Sequence, residues 1–470
     1  MRGHSSLLLG ALLGLGGQAY LQGQALQDPN LVFFILAGQS RTAFTMQGAG
    51  ARAIGTGGAF IAVADDATAV SYNPAGLAQL LKPEFSAVGR WLSRRQDFQR
   101  FSSPDVSYDD SSNTESRTSP EFFSFAIPWK HQGQNFVLQV SHQRIFDFSY
   151  KSDLIFNSRV GGNPRKNRQY VDQRGGVNVW SAALGAELSS RFLLGASINF
   201  WRGSWVFTSD SLAATSTGSP LTELSFAQNS AFRGVNWSLG TIWRSDYLNI
   251  GAVYRSAFKA DYAFTNVLAF EDYSGGTPNT SETLASEVFQ LQWPESLGIG
   301  LGLHPHPRWL LTADWTRVRW SGTTIRAGGT SYDGLNFFDL QRVTGTPDVS
   351  DLRGGAEWIA FLGDKVVIPL RAGIFREPQP LKDRRTGEQR VFKGWTLGVG
   401  VKAGAFTLDV AYKKSDAMRN VARLQLTSSG TASYITGQED LDEQRVFLSL
   451  IWQLDPLTVR RALRWVFVGN

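Results

Sequence analysis

Several residue types and patterns are scarce in this sequence, and each absence excludes a class of protein. There is no cysteine, which excludes disulfide bonds, thiol nucleophiles and thiolate metal sites. Charged residues make up only 18% of the 470 positions, and the lysines and arginines are scattered, so we expect no nucleic-acid partner. No segment after the N-terminal region offers about 18 continuous apolar residues, so we expect no transmembrane helix.

The N-terminal residues have the pattern of a secretory signal peptide. Arg2 supplies the positive start, and Leu7–Leu15 forms an apolar core that is too short to span a bilayer. Small residues follow at a distance that fits a cleavage site, although two positions fit equally well. We therefore expect a signal peptide over residues 1–25. A second apolar stretch, LVFFILAG at residues 31–38, has no assigned role.

The sequence is rich in aromatic residues, 12% of the total, and in glycine, with 48 residues. In KGWTLGVGVKAG, Trp395, Leu397 and Val399 fall on one face of a strand, and polar residues or glycine fall on the other. About fourteen such segments occur between residues 84 and 453. Their connections alternate without exception between short turns and long loops rich in Ser, Thr, Gly, Asn and Asp.

This alternation predicts an all-β protein, a 14-stranded antiparallel transmembrane β-barrel over residues 83–454 in the bacterial outer membrane. A soluble β-sandwich also has alternating strands, but it gives no reason for loops sorted by length. In lipid, only helices and closed barrels satisfy every backbone group. Tryptophans near the strand ends are expected to form two girdles at the membrane interfaces: Trp91, Trp129, Trp205, Trp243, Trp293, Trp309, Trp320 and Trp452.

Two stretches carry a resemblance to a known family. GARAIGTGGAFIAVADDATAVSYNPAGLA, residues 50–78, contains paired acids and an Asn-Pro-Ala motif at Asn73, Pro74 and Ala75. WPESLGIGLGLHPHPRWLLTADWTRVRWS, residues 293–321, contains Pro-Glu-Ser, a glycine-alternating strand and a closing Trp-Ser. Together these stretches resemble the FadL-type outer-membrane transporters of long-chain fatty acids and other hydrophobic compounds.

The resemblance implies a hatch, which is a plug inside the barrel lumen, over residues 26–82. It implies passive uptake of a hydrophobic small molecule, such as a long-chain fatty acid or a hydrocarbon, by a monomer surrounded by outer-membrane lipids, with no cofactor and no metal. It also implies a lateral exit at a kinked third strand, yet residues 135–150 contain neither glycine nor proline, so the exit route stays open. Residues 455–470 follow the last strand as a C-terminal periplasmic extension.

Candidate substrate-binding residues are apolar positions of the hatch and inward-facing aromatic residues of the barrel, with one arginine for an acidic head group. They are Ile54, Phe60, Ile61, Val63, Val70, Arg371, Phe375 and Phe447. Plain packing of the hatch against the wall produces the same apolar pattern, and periodicity does not separate the two interpretations.

The polar residues of the hatch fit caps and turns. Asp66 is placed to cap a short helix through DATAVSY, and Asn73 followed by Pro74 is a good N-cap and first-turn pair. Shaping of the chain is one interpretation of these residues. Attachment of the hatch to the barrel wall is the other.

Inward-facing charges favour attachment. Alternation places charged residues of four neighbouring strands toward the lumen, namely Arg353, Glu357, Arg371, Lys402, Asp409 and Lys413. Because polar groups in a plugged lumen need partners, we expect Asp65 or Asp66 to pair with Arg371 or Lys402 and so latch the hatch.

Other functions find less support in the sequence. The one strand histidine, His142, points to the opposite face from the adjacent Ser141, and His304 and His306 lie in a predicted turn, so we expect neither an enzyme nor a metal site. The main alternative is an outer-membrane protein-binding barrel that serves as a shuttle or scaffold for a secretion system. Its partner surfaces would be the loops of residues 322–349 and 417–441. A general porin is disfavoured because a folded hatch blocks free diffusion.

Overall fold

A computed structural model of the protein describes residues 46–102, 106–160, 162–273, 279–327, 330–333, 346–382, 389–426 and 432–456, together with residue 459. The predicted signal peptide, the LVFFILAG stretch and nearly all of the predicted C-terminal extension lie outside these residues. Within them, no helix is long and apolar enough to cross a membrane.

The described chain folds into a closed antiparallel barrel of 14 strands, which confirms the predicted fold class. The strands are β1 (Glu84–Phe98), β2 (Ser111–His131), β3 (Gln134–Asp147 and Tyr150–Val160), β4 (Asn163–Ser189), β5 (Phe192–Thr215), β6 (Pro220–Arg244), β7 (Leu248–Arg255 and Phe258–Asp272), β8 (Asn279–Trp293 and Ser296–His306), β9 (Trp309–Val318), β10 (Val349–Leu362), β11 (Val366–Lys382), β12 (Gln389–Ala403), β13 (Phe406–Leu426) and β14 (Ala432–Gln453). Short strands at Phe101–Ser102, Val106–Tyr108, Thr324–Ala327 and Thr330–Asp333 lie in the long loops. Each barrel strand pairs with the next, and β1 pairs with β14 along its whole length, which closes the sheet.

The outer face of the barrel is apolar. On β5, Leu194, Ile198 and Phe200 are each more than 40% exposed, whereas the alternate residues Ser197 and Asn199 point inward and are buried. The same arrangement recurs on the other strands, so a continuous apolar surface surrounds the barrel. Such a surface is favourable only against lipid, and we conclude that the barrel spans a membrane.

Exposed aromatic residues concentrate at the ends of the outer face. Next to the short turns, Trp129 stacks on Phe136 and Trp309 stacks on Trp358. Of the eight tryptophans predicted for the girdles, five are exposed on the outside: Trp91, Trp129, Trp243, Trp309 and Trp452. The prediction is wrong for Trp205, Trp293 and Trp320, which are buried among other aromatic residues in the lumen.

Residues 46–83 form the hatch inside the barrel. They contain the helix α1 (Ala51–Gly55) and two 3-10 helices, Ala69–Ser71 and Pro74–Gln79. The predicted N-cap is confirmed at the second 3-10 helix, because the side chain of Asn73 accepts a hydrogen bond from the backbone N–H of residue 75 at 3.1 Å.

Asp66 shapes the turn that precedes the first 3-10 helix. Its Oδ1 accepts hydrogen bonds from the backbone N–H and the hydroxyl of Thr68, at 2.8 and 2.6 Å. The carboxyl is buried, and this burial raises the pKa of Asp66 above its ordinary value. The acid therefore shapes the turn before the 3-10 helix, but the predicted cap is wrong, because the N-cap residue is Thr68 and no side chain caps the helix.

Candidate functional site

Glycines of the barrel wall make room for the hatch. In the register of the sheet, Gly185, Gly195 and Gly240 lie side by side on β4, β5 and β6. A Cβ on Gly195 would lie 2.3 Å from the backbone nitrogen of Ala75, and one on Gly240 would lie 1.9 Å from Oδ1 of Asn73. Gly251, Gly300, Gly355, Gly373 and Gly398 meet the hatch in the same way. These eight residues, the glycine socket, explain the glycine-alternating strands of the sequence.

Asn73 connects the hatch to this socket. Its side chain is fully buried, and its Nδ2 donates to the carbonyl of Ile61 at 3.0 Å, within the hatch. The same nitrogen donates to wall carbonyls, at 3.1 Å to Thr241 of β6 and at 3.4 Å to Ala252 of β7. One side chain therefore caps a helix and binds the wall, and the two interpretations of the motif are both correct for this residue.

Two charged residues of the wall bind the backbone of the hatch. Arg255 of β7 donates from Nη2 to the carbonyl of Tyr72 at 2.8 Å. Asp314 of β9 accepts two hydrogen bonds through Oδ2, from the backbone N–H groups of Phe60 at 2.7 Å and Ile61 at 2.9 Å. Charge-assisted bonds to backbone groups fix position more strongly than neutral ones. They hold the middle of the hatch against β7 and β9.

An ion pair also joins hatch and wall, with the charges reversed from the prediction. Arg52 of α1 pairs with Asp65 inside the hatch, and its Nε lies 3.1 Å from Oε2 of Glu357 on β10. The hatch thus contributes the cation and the wall contributes the anion. Among the described residues, Asp65 is linked to the wall through Arg52.

The predicted latch, Asp65 or Asp66 with Arg371 or Lys402, is wrong. Arg371 is bound by two carboxylates of the wall, at 2.6 Å from Glu357 and at 2.6 Å from Asp409. Lys402 is exposed beside the turn that ends β12 and does not join the buried charges. A guanidinium held by two wall carboxylates is neutralised, so Arg371 does not offer a free charge to an acidic head group.

A second network of inward charges lies on β10, β11 and β13. Glu377 accepts from Arg353 at 3.2 Å and from Lys413 at 3.1 Å, and Arg353 also lies 3.2 Å from Asp351. The ammonium of Lys413 stands 3.9 Å from the ring centre of Phe375. Phe375, a predicted pocket residue, is therefore covered by a cation. This side of the lumen is polar and internally neutralised.

The opposite side of the lumen is aromatic. Rings from β3 to β8, and from the residues after β9, fill the space between the hatch and the long loops, and they are in direct contact: Trp201 lies 5.7 Å from Trp293, and Trp205 stacks on Tyr262 at 5.6 Å between ring centres. We call this region the aromatic chamber; its rings are Phe146, Phe148, Trp201, Trp205, Phe232, Phe258, Tyr262, Phe264, Phe289, Trp293 and Trp320.

A small cavity lies between the hatch and the aromatic chamber. Its volume is about 30 Å³, room for about two water molecules. Its lining comprises Met46, Gly48, Ile61, Ser71, Tyr72, Arg255, Trp293, Asp314, Thr316, Val318, Trp320, Val349, Asp351 and Arg353. Two arginines and two aspartates face it, so it carries no excess charge of either sign. A larger molecule enters only if side chains or the hatch move.

Most of the predicted substrate-binding residues do not line this cavity. Phe60 and Val63 belong to one buried cluster between hatch and wall, and Ile54 and Phe447 belong to another, while Val70 packs against both clusters. Among the eight predicted substrate-binding residues, all of which the structure describes, Ile61 alone lines the cavity. Ile54, Phe60, Val63, Val70 and Phe447 therefore serve hatch packing in this structure, as the packing interpretation predicts.

The barrel wall is interrupted at β3. The ladder of backbone hydrogen bonds between β2 and β3 begins at the turn that joins them and ends where Phe122 faces Gln143. Among the described residues, residues 111–121 of β2 are not paired with β3. On its other side β3 stays paired with β4, through a bulge after Arg144 and an interruption at residues 148–149. We call the interruption of the ladder between β2 and β3 the wall break.

The glycines that permit the kink lie on the neighbouring strand. A Cβ on Gly176 of β4 would lie 2.0 Å from the carbonyl oxygen of Phe146. Gly175 has a φ of +119°, a conformation that favours glycine, and its backbone N–H donates to the hydroxyl of Ser149. The lack of glycine and proline in residues 135–150 therefore does not prevent a kink in the third strand.

Arginines converge on Asp147 at the wall break. Its carboxylate lies 2.7 Å from Arg90 of β1, 2.9 Å from Arg144 and 3.6 Å from Arg117 of β2. The residues on either side of Asp147, Phe146 and Phe148, are rings of the aromatic chamber. The chamber thus reaches the wall break, and an ion cluster closes the gap between β2 and β3.

Sequence reasoning missed the chamber and the ion cluster. Trp201 and Trp205 share the inward parity of Ser197 and Asn199, so strict alternation along β5 was the signal that identifies Trp205 as a lumen residue. For Asp147 the sequence gives no such signal, because only Arg144 is a sequence neighbour and the other two arginines, Arg90 and Arg117, come from β1 and β2.

Comparison with known proteins places the chain in a family. The model of the BamG family matches residues 53–344, more than half of the chain. No curated protein matches the sequence. Solved structures with the same fold include a FadL homologue from Pseudomonas aeruginosa, with a TM-score of 0.62 and 14% identity over 88% of this chain and 100% of that one.

Two toluene transporters also share the fold. TodX of P. putida has a TM-score of 0.56 and 13% identity, over 87% of this chain and 99% of that chain. TbuX of Ralstonia pickettii has a TM-score of 0.53 and 14% identity, over 88% and 100%. Identities this low establish the fold alone, and at that level they confirm the resemblance to FadL-type proteins. The chain is a member of the BamG family with the plugged 14-stranded barrel of FadL-type transporters.

Proposed function

We propose that the protein conducts hydrophobic small molecules passively across the bacterial outer membrane. The observation that carries the proposal is the aromatic chamber, a buried cluster of rings inside the lumen of a membrane-spanning barrel. A barrel that carried only ions or polar solutes would have a wet, polar lumen. Apolar side chains with a few oriented polar groups are typical of sites for hydrophobic ligands.

The proposed route enters the chamber from the long loops and leaves through the wall break. Below the chamber the hatch fills the lumen, seated in the glycine socket, and the cavity above it is too small for a passing molecule. Phe146 and Phe148 instead lead from the chamber to the gap between β2 and β3. A molecule released there enters the lipid directly and does not cross water, which suits an apolar cargo. The similar fold of two toluene transporters agrees with a small apolar cargo.

Among the described residues, no group of three or more His, Cys, Asp or Glu side chains that could hold a metal ion is found. The protein-binding alternative rests on the loops of residues 322–349 and 417–441, of which residues 328–329, 334–345 and 427–431 lie outside the described part of the chain. No observation of the described residues favours it over transport.

Crowding the aromatic chamber tests the proposal, because the cavity is lined by the chamber rings Trp293 and Trp320 and a bulky side chain placed in it must press on them. Thr316 of β9 faces the cavity and is buried, whereas its neighbour Arg317 is exposed on the outer face. We expect Thr316→Trp to reduce the accumulation of a neutral hydrophobic fluorescent probe in cells that carry the protein in the outer membrane. Arg317→Trp is the matched control and should leave accumulation unchanged. Equal accumulation in cells with and without the protein would refute the proposal.

A further inference from the structure

Three amide side chains in the upper lumen are buried without a hydrogen-bond partner among the residues that the structure describes. Gln173 is 1% exposed, and Gln228 and Asn266 are 0% exposed. In each, both the side-chain nitrogen and the side-chain oxygen lack a partner. Buried amides are satisfied in the great majority of cases, and an unsatisfied one is destabilising. Three together call for a functional explanation.

The three amides lie in one row across the sheet. Gln173 of β4 faces Phe207 of β5, Phe207 faces Gln228 of β6, and Gln228 faces Asn266 of β7. Residues opposite each other on antiparallel strands point to the same side, here the lumen. We call Gln173, Gln228 and Asn266 the amide row.

The amide row lies at the loop side of the aromatic chamber. The row below it on the same strands contains Trp205 and Phe264, which are chamber rings, and the indole N–H of Trp205 also lacks a partner. The row above it contains the apolar residues Val171, Phe226 and Leu268 together with Ser209. A molecule that approaches from the loops therefore meets polar donors and acceptors within mainly apolar surroundings.

Charge in this region disfavours an anion. Beside the amide row, none of the inward-facing residues of β4, β5, β6 and β7 is charged. These residues are every second position in the ranges Val171 to Val179, Trp201 to Ser209, Phe226 to Phe232 and Ala260 to Leu268. On the next strand, Glu287 faces Phe264 and has no ion-pair partner among the described residues. Arg144, which reaches the carbonyl of Gly175 from β3, is bound to Asp147, so a carboxylate here would find no free cation among the described residues and would meet one repelling acid.

We infer that the amide row and Trp205 bind the polar group of a neutral, largely apolar molecule, such as an alcohol, a ketone or an amide. Amides offer both donors and acceptors, so they match a hydroxyl or a carbonyl, while the chamber rings hold the apolar part. This inference narrows the proposed uptake function to one substrate class, and it rests on that function for its physiological role. The binding itself is measured without transport.

The test compares two ligands of similar shape, cyclohexanol and methylcyclohexane, on detergent-purified protein. Affinities come from isothermal titration calorimetry and from the fluorescence of the buried tryptophans, with free ligand corrected for uptake by micelles. We expect the double variant Gln228→Leu, Asn266→Leu to lower the affinity for cyclohexanol relative to methylcyclohexane by about tenfold or more, the value of one lost hydrogen bond at a buried site. Because the removed amides have no partner, the variant should melt no lower than the parent protein.

Gln96 provides the matched control. It is also an amide with both atoms unpaired at 1% exposure, but it lies on β1 opposite Leu441, away from the chamber. Gln96→Leu should leave the ratio of the two affinities unchanged. An unchanged ratio in the double variant would overturn the inference, as would binding of cyclohexanecarboxylate as tight as that of cyclohexanol. Equal accumulation of the probe in cells with and without the protein, together with the expected fall in the relative affinity of the double variant for cyclohexanol, would refute the proposed uptake and leave the amide row standing.

Discussion

Asn73 is predicted to hold the hatch in the barrel through its amide nitrogen, and replacing it with alanine or aspartate tests this role. Asn73→Ala removes the cap of a 3-10 helix, worth about 1 kcal/mol, and two donated bonds at 3.0 and 3.1 Å, worth about 1 kcal/mol each. The sum of about 3 kcal/mol corresponds to about a hundredfold shift toward a hatch that has left the socket and lost its local fold. Hydrogen exchange of peptides from residues 46–83 in detergent measures that shift.

Asn73→Asp separates the two roles of the residue. Asparagine and aspartate cap helices about equally well, so a pure cap would tolerate this change. In the socket, however, the new carboxylate would face the carbonyl oxygens of Ile61, Thr241 and Ala252 with nothing to donate. We expect exchange of the hatch at least as fast as in Asn73→Ala. Wild-type exchange rates in Asn73→Asp would refute the idea that this side chain binds the wall.

Four further predictions concern the hatch and the wall break. Gly240→Ala places a Cβ 1.9 Å from Oδ1 of Asn73 and should expose the hatch to hydrogen exchange. Gly89→Ala is the control, because its Cβ would have no atom within 4 Å. Similar hatch exchange rates in the two variants would contradict the role of the glycine socket. Arg52→Gln removes a half-buried ion pair with Glu357 and should speed hydrogen exchange of the hatch by about tenfold or more. An unchanged exchange rate would mean that this ion pair is dispensable. Because Asp66 is a buried acid of raised pKa, the wild-type hatch should lose protection against hydrogen exchange as the pH rises through that pKa. Asp66→Asn keeps an acceptor for Thr68 but removes the acid, so this variant should show no such loss. Asp147→Asn weakens three arginine contacts at the wall break and should raise the accumulation of the hydrophobic probe. Asp153→Asn, which affects an exposed pair with Arg168, should leave accumulation unchanged. Lower accumulation in Asp147→Asn would argue against an exit at the wall break.

Period-two patterning and loop lengths were enough to predict the 14-stranded barrel. Both follow from local physics, since alternate residues must face lipid and lumen, and tight turns occur at one rim only. The same alternation identified Arg353, Glu357, Arg371, Asp409 and Lys413 as lumen charges. Their partners were not predictable, because the register between hatch and wall depends on contacts more than 250 positions apart, such as Phe60 with Asp314.

The failures have equally specific causes. For Trp205, Trp293 and Trp320, position near a strand end predicts the membrane interface, but the parity of the residue decides which side of the barrel it faces. The sequence of β3 gives no sign of its kink, because Gly175 and Gly176 supply the required glycines from β4. Packing and pocket residues of the hatch have the same apolar pattern, and only the three-dimensional contacts of Phe60 and Ile61 separate them.

Photolabelling tests the central claim most directly, namely that hydrophobic molecules pass through the aromatic chamber to the wall break. Cells carrying the protein would be exposed to a small neutral diazirine and irradiated, and the labelled peptides would be mapped by mass spectrometry. The account predicts label on the inward-facing Phe146, Phe148 and Trp205, and competition for it by an unlabelled hydrophobic molecule. Label confined to outward-facing residues of the same wall, such as Leu138 and Val140, with none inside the lumen, would contradict it.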